Sequence, residues 1–292
     1  MTEPRNVLNM CVLCPGICVT ECPVYMATHI RASAPNNLAR IALKFMEGSK
    51  DMEDALWLCT GCRSCEYACP MGNKVWEAVR VLRGQEYISS TEARVERLTN
   101  NSKPGLLVVS PSKPNVNIVK TLGGDYSLYW VDSGVISETY WSGRNPILNL
   151  NGIEFILADD MDALTPLSLS EKRLVSPLKI LKSLGAKRLL GDNGYTLHIP
   201  CKTPREYRDD IIGGISQVLG SPESIVEGCV AGGGGLPVKH PDLAREIAMY
   251  TMRNTNPGRP VVTLCSNAKM LLRKLGYQSL TLLDLIEEAA QR

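Results

Sequence analysis

The residues able to do chemistry in this chain are its cysteines. There are eleven in 292 residues, and eight of them fall before residue 70. The later group reads Cys59-Thr-Gly-Cys62-Arg-Ser-Cys65-Glu-Tyr-Ala-Cys69-Pro70, a C-x2-C-x2-C-x3-C-P run. That is the ligand spacing of bacterial four-iron clusters. A cubane needs one thiolate for each of four irons at tetrahedral corners, and three thiolates two residues apart can wrap three corners in one tight loop. The fourth Cys lies one helical turn further on and points toward a second cluster, while Pro70, lacking an N–H, suits the departure of the chain.

The earlier group is Cys11-Val-Leu-Cys14-Pro-Gly-Ile-Cys18-Val-Thr-Glu-Cys22-Pro23, with one residue more between its second and third Cys. A turn at Pro15-Gly16 is expected to absorb that residue. Crossed ligation then assigns Cys11, Cys14, Cys18 and Cys69 to one [4Fe-4S] cluster, and Cys59, Cys62, Cys65 and Cys22 to the other. Zinc is the competing reading of C-x2-C pairs, but it matches the x2-x2-x3-P spacing less well. Dithiol redox chemistry matches less well still, because it does not need eight thiols. His29, near the first group, reads as solvated or hydrogen-bonded and not as a ligand. Trp57 and Tyr67 read as shields that keep water from the second run. The charges of residues 74–97 read as a solvated helix face, with a partner surface as the alternative.

Composition places these motifs in a globular protein. The chain is 44% hydrophobic and 21% charged, with 24 Gly and 18 Pro, which is neither a disordered nor a collagen-like profile. Its net charge is +2: residues 1–95 carry ten Lys/Arg and ten Asp/Glu, and the remainder 22 and 20. Nucleic acid is therefore not an expected partner. The longest aliphatic runs, such as Leu106-Leu107-Val108-Val109, are strand-sized, so no membrane span is expected. Met1 to Met10 lacks the apolar core of a signal peptide, and we expect a cytoplasmic protein. Clustered cysteines in that setting read as metal ligands and not as a disulfide framework.

The elements that must position the motifs change character along the chain. Apolar residues at Leu38, Ile41, Ala42 and Phe45 predict a helix over 37–45, and Val75, Val79 and Leu82 predict another over 74–82. The polar segment 84–104 ends in Asn-Asn-Ser-Lys-Pro, and its end is taken as a domain boundary. Beyond it, strands are expected at Leu106–Val109, Ser127–Val131, Glu154–Ala158, Tyr195–Ile199 and Pro260–Leu264. Helices are expected over 173–184, 205–219 (after Pro204), 241–254, 266–275 and 281–290, with Gly185 and Gly276 as stops. The expected fold is α+β overall: an all-α N-terminal domain, residues 1–103, followed by an α/β domain with a largely parallel sheet, residues 104–292.

Residues 9–85 resemble the helical two-cluster ferredoxin domain of heterodisulfide reductase C subunits, anaerobic glycerol-3-phosphate dehydrogenase C subunits, and glycolate or lactate oxidase iron–sulfur subunits. The resemblance rests on Cys22-Pro23-Val24-Tyr25 after the first motif and on the Cys59–Pro70 run. The later cysteines extend it. Leu197-His198-Ile199-Pro200-Cys201, Gly228-Cys229-Val230-Ala231 with Gly232–Gly235, and Cys265-Ser266-Asn267-Ala268 resemble the cysteine-rich CCG domain. Val230, Ala231 and Ala268 stand where that family has Cys, Gly and Cys. The family carries two such modules in tandem, so the resemblance implies two pseudo-repeated modules, a cysteine-free one at 104–190 and a partly stripped one at 191–292.

A full CCG module holds its cluster with five cysteines, and three cannot repeat that ligation. Cys201, Cys229 and Cys265 with His198 or His240 could hold a third iron–sulfur cluster or zinc; the competing reading is three buried thiols. Gly232–Gly235 lacks the Lys-Ser/Thr of a phosphate loop, and close backbone approach to a cluster or a loop explains it better. Two clusters with no flavin or nicotinamide motif describe an electron conductor. The expected role is an electron-transfer subunit of a multi-subunit oxidoreductase, not catalytic alone. It would work beside flavin- or metal-containing subunits in a hetero-oligomer, including association with a membrane partner. The alternative is a catalytic subunit like heterodisulfide reductase B, reducing a disulfide or thiol-related substrate at the third cluster.

Overall fold

The structure is a computed structural model and describes residues 3–84, 93–158, 173–186, 189–190, 194–203 and 205–291. Its elements are a mixture of helices and strands, arranged in two compact units. Unit 1 is Met1–Ser90, Ser137–Asn145 and Glu227–Asn254; unit 2 is Thr91–Ile136, Pro146–Val226 and Thr255–Arg292. The units are thus discontinuous in sequence. Pro204 and residues 85–92 of the polar segment lie outside the described residues, as do parts of both expected CCG modules.

In unit 1, proline opens three early helices: α1 (Pro4–Val12), α2 (Pro23–Thr28) and α3 (Pro35–Met46). A residue with fixed φ and no N–H suits the first helical position, where amides have no intrahelical partner. Short helices α4 (Glu53–Leu56) and α5 (Ser64–Tyr67) follow, then α6 (Val75–Arg83). Helix α3 buries Leu38, Ala42 and Phe45 along one face. They meet Leu8 of α1, Leu56, and Val79 and Leu82 of α6 in one core, and Cys11, Cys59 and Cys65 pack against it. The motif loops therefore hang on a hydrophobic frame built from both sides of each motif. Far along the sequence, the helix Pro241–Met252 packs on α2 within the same unit.

Two sheets are described, in unit 2 except for Glu227 and Gly228. The first runs β1 (Glu96–Arg97), β3 (Ser127–Asp132), β2 (Gly105–Ser110), β4 (Ile153–Ala158), β5 (Arg173–Leu174) across its width. It is parallel except at the β1 edge, which pairs antiparallel with β3. Every residue of β2 is buried, as expected for a central parallel strand covered on both faces. The second sheet runs β7 (Ser224–Gly228), β6 (Thr196–Pro200), β8 (Val261–Thr263), β9 (Ser279–Leu280), with β6–β8 and β8–β9 parallel. Leu106 and Val108 of the first sheet and Leu197 and Val262 of the second share one core.

The expected strands are all present within a residue or two. Segment 173–184 is not one helix: Arg173–Leu174 pairs with β4, and the helix begins at Pro177. The helix expected at 205 starts at Arg208 after a 3-10 turn. Helices Val116–Gly123 and Ser133–Trp141, and strands β7 and β9, are additions to the elements expected from the sequence. Among the described residues no helix is long and apolar enough to cross a membrane.

One helix end in unit 2 carries a direct stability test. Thr281 begins Leu282–Ala289 with a capping box: its side chain accepts from the Asp284 amide, and Asp284 accepts from the Thr281 amide at 2.7 Å. Thr281→Ala is expected to cost about 1–2 kcal/mol, read as a lower urea midpoint at constant slope.

Candidate metal centre

The first motif is built on the end of α1. Cys11 lies in its last turn, and the Cys14 amide donates to the Cys11 carbonyl at 3.2 Å. Gly16 then takes φ +87°, a conformation that costs a side-chain-bearing residue. This is the turn that absorbs the additional residue of the motif. It returns the chain into a 3-10 helix, Ile17–Glu21, which carries Cys18, and Cys22 caps α2. In the second motif Cys65 lies in α5, and Cys69 follows its last turn, with its amide donating to the Glu66 carbonyl at 3.1 Å.

The fold gathers these eight side chains around two adjacent cavities. One is lined by Cys11, Cys14, Cys18 and Cys69, together with Cys65, Met10, Met71 and Asn73. The other is lined by Cys22, Cys59, Cys62 and Cys65, together with Thr60, Arg63 and Trp76. Cys22 thus crosses to the second motif and Cys69 to the first. Cys65 and Val75 line both cavities, so a single side-chain layer separates them.

Hydrogen bonds aim at the sulfurs. The Gly16 amide donates to Cys14 Sγ at 3.5 Å, the Gly61 amide to Cys59 Sγ at 3.4 Å, and Asn73 Nδ2 to Cys11 Sγ at 2.9 Å. Each of the two backbone amides lies two residues after its cysteine, and such donors stabilise sulfur-borne negative charge. As free thiols, Cys11, Cys22 and Cys65 resist ionisation. Burial pushes Cys11 up to about 11, against the Asn73 hydrogen bond, with Cys18, Cys69 and Cys14 adding to the rise. Burial pushes Cys22 up to about 12, with Cys62 and Cys59 adding to it. Cys65 is raised well above the ordinary thiol range by burial and then by Cys62, Cys59, Cys18 and Cys22. Four crowded thiols ionise together only when a metal takes up their charge. The cysteine donors are all sulfur, five around the first cavity with the shared Cys65 and four around the second, enough for a thiolate-bound four-iron cluster at each.

The second cavity is covered by parts that the motifs do not indicate. Trp76 of α6 lines it, and its Nε1 donates to Glu66 at 2.8 Å. Tyr140 and Trp141 from the distant segment of unit 1 pack on Trp76, Cys59 and Cys65. Trp76 is thus the aromatic at this cavity; Trp57 is buried under the Arg83 guanidinium, and Tyr67 faces that of Arg63. Gly234 presses its backbone onto Thr60, where a Cβ would sit 2.2 Å from the Thr60 carbonyl oxygen. The glycine run is a close-approach segment, as its composition suggests. Arg80 and Arg83 correct another expectation. They belong to the segment read as a solvated face, yet they are 3% and 1% exposed. Backbone carbonyls of Leu56, Cys59 and Gly234 satisfy Arg83, and Arg80 Nη1 donates to the Tyr140 carbonyl at 3.1 Å while its buried Nε finds no partner among the described residues.

The remaining candidates are dispersed between the two units. Cys229 belongs to unit 1, and its thiol meets that of Cys62; that hydrogen bond, then burial, raises Cys62 well above the ordinary range. Cys201 and Cys265 belong to unit 2, where Cys265 caps the helix Ser266–Lys274 and accepts from the Ala268 amide at 3.4 Å. Buried His198 places Nδ1 2.7 Å from Thr263 Oγ1. In unit 1, His240 Nε2 lies 3.3 Å from the Asp54 carbonyl and 3.6 Å from its carboxylate. His29 is exposed and stacks edge-on against Tyr25. Among the described residues no three His, Cys, Asp or Glu side chains converge tightly enough to hold a single metal ion.

Two adjacent cysteine-rich cavities lie on this small helical frame. Residues 7–73 match the 4Fe-4S dicluster domain family. The chain is similar to the probable glycolate oxidase iron–sulfur subunit of Bacillus subtilis, 34% identical over 105 residues, which is 33% of this chain and 23% of that protein. It is also similar to the C subunit of the H(2):CoB-CoM heterodisulfide,ferredoxin reductase of Methanothermobacter thermautotrophicus, 33% identical over 81 residues, 27% of this chain and 40% of that protein. The chain therefore spans less than half the length of either relative. No solved structure matches it.

Proposed function

We propose that this chain is an iron–sulfur electron-transfer subunit of a multi-subunit oxidoreductase, passing single electrons through two [4Fe-4S] clusters. Cys11, Cys14, Cys18 and Cys69 hold one cluster, and Cys22, Cys59, Cys62 and Cys65 hold the other. The observation that carries this reading is the pair of adjacent cysteine-lined cavities that share Cys65 and Val75 as a wall. When bound, each cluster supplies a one-electron redox centre. The protein contributes thiolates, amide donors to sulfur, and a dry aromatic cover of Trp76 and Trp141.

The two cavities differ in outlook. Around the first, Met10, Leu13, Ile17 and Met71 are exposed, Leu13 by 87% and Met71 by 73%. An apolar rim of this kind supports the first cavity as the face where electrons are exchanged with a partner. The relatives are named as subunits, which supports a hetero-oligomer; its partner in this reading is a flavin- or metal-containing subunit in the cytoplasm, and the evenly balanced charge supports no nucleic-acid role. The CCG-like part, read as two modules at 104–190 and 191–292, serves as a docking platform.

Anaerobic purification with iron, zinc and sulfide counts tests this. About eight irons per chain and two reducible one-electron centres are expected. Zinc in place of iron, or clusters inert to reduction, would remove the proposal. About twelve irons would instead favour a third cluster at Cys201, Cys229 and Cys265 and a catalytic role.

A further inference from the structure

Arg83 is the last residue of α6 and one of the largest fully buried side chains among the described residues. Its Nη2 donates to the carbonyls of Leu56 and Cys59, each at 2.6 Å, its Nε to Leu56 at 3.2 Å, and its Nη1 to Gly234 at 3.0 Å. The guanidinium also lies 4.7 Å from the centre of the Trp57 ring. All these partners are neutral. A buried guanidinium normally faces a carboxylate, because an uncompensated charge in a dry interior is expensive. Among the described residues, the Cys59 sulfur would favour its charge as a thiolate, and Arg80 opposes it. The fold has thus placed a permanent cation against the backbone of a cavity-lining cysteine and gathered carbonyls, not acids, around it.

An anionic group would complete this arrangement, and the nearest place for one is the second cavity, which Cys59 lines. A four-iron group with four thiolates is such an anion, and each electron it accepts adds one more negative charge. We propose that Arg83 is the built-in counter-ion of the cluster held by Cys22, Cys59, Cys62 and Cys65, and that it raises the electron affinity of that cluster above what its cavity alone would give. This rests on the two-cluster reading above. Charge and burial are the means by which a protein sets cluster potential. Arg83 acts as a positioning residue, through the Cys59 carbonyl that it holds.

The anaerobically purified chain, with Arg83→Gln and Arg83→Lys variants, is titrated with dithionite under electron paramagnetic resonance detection, with iron counted in each. In Arg83→Gln one of the two couples should fall by at least 59 mV, a tenfold loss of electron affinity for one electron. The other couple serves as an internal reference and should move much less. Arg83→Lys, which keeps the charge, should recover most of the shift. The sign is informative, because loosened packing alone admits water and moves the potential upward. An unchanged or raised couple in Arg83→Gln, equal shifts of both couples, or an Arg83→Lys value as low as Arg83→Gln would overturn the proposal. Should Arg83→Gln lose iron while Arg83→Lys keeps about eight, the counter-ion role stands; loss from both would make Arg83 a strut and overturn it. A wild-type chain without two four-iron groups would instead defeat the underlying reading, a separate outcome.

Discussion

Adding Cys62→Ala to a chain already carrying Cys229→Ala is expected to lower the iron content from about eight to about four per chain. Cys62 is the most buried of the eight motif cysteines, and it lines the second cavity with Cys22, Cys59 and Cys65. The Cys229 background is needed because its thiol meets that of Cys62 and offers a substitute sulfur. Cys229→Ala alone should keep about eight irons if the ligand assignment holds. The loss also reaches the fold. Metal–thiolate bonds form only in the folded site, so their free energy is folding free energy, about 10–16 kcal/mol for structural zinc in small domains. Cys59 and Cys65 pack on the same core as Leu8, Leu56 and Val79, so emptying their cavity should loosen α1, α5 and α6 together. Hydrogen exchange checks this: α5 and α6 should lose protection, while Leu282–Ala289, which belongs to the separate core of unit 2, should keep it. Full iron content in the double variant would remove Cys62 from the ligand set.

What is legible in the sequence and what is not divides along chain separation. The motif loops are local: a Cys two or three residues from the next fixes its own geometry, and the role of Pro15-Gly16 follows from one residue too many. Helices α3 and α6 carry a plain apolar stripe, which places them nearly to the residue. The cover over the second cavity has no such signature. Arg83 meets Gly234 across 151 positions and Arg80 meets Tyr140 across 60, and no periodicity announces a contact of that kind. The polar residues of α6 look like a water-facing side because charge normally faces water. The exception arises where backbone carbonyls converge from several segments, which is a tertiary fact. The Ser133–Trp141 helix escapes the sequence for a different reason, since its residues show no clear apolar face. The glycine run announces a close approach, but its target is open until the fold puts Thr60 there.

Gly234→Ala should be among the most damaging single changes away from the cysteines. Gly234 has φ +71°, and a Cβ would stand 2.2 Å from the carbonyl oxygen of Thr60, 2.6 Å from its carbon and 2.7 Å from its Cα. Those atoms are backbone, and Thr60 lies between Cys59 and Cys62, so neither side can yield without moving the ligand loop. The same glycine supplies the carbonyl that Arg83 Nη1 bonds. Two costs therefore add: roughly 1–2 kcal/mol for an alanine held at positive φ, and about 1–3 kcal/mol for the forced overlap. Gly72→Ala separates them, because Gly72 has φ +58° with nothing within 4 Å of its Cβ position, so it should carry only the first. Urea unfolding of both variants should place Gly234→Ala lower by the steric difference. The electron paramagnetic resonance line shape of the second cluster should change in Gly234→Ala and not in Gly72→Ala. Equal midpoints for the two variants would mean that residues 232–235 do not press on the cysteine loop in solution. A change confined to Gly234→Ala would tie the glycine run to the same cluster that Arg83 serves, since one peptide unit carries both contacts.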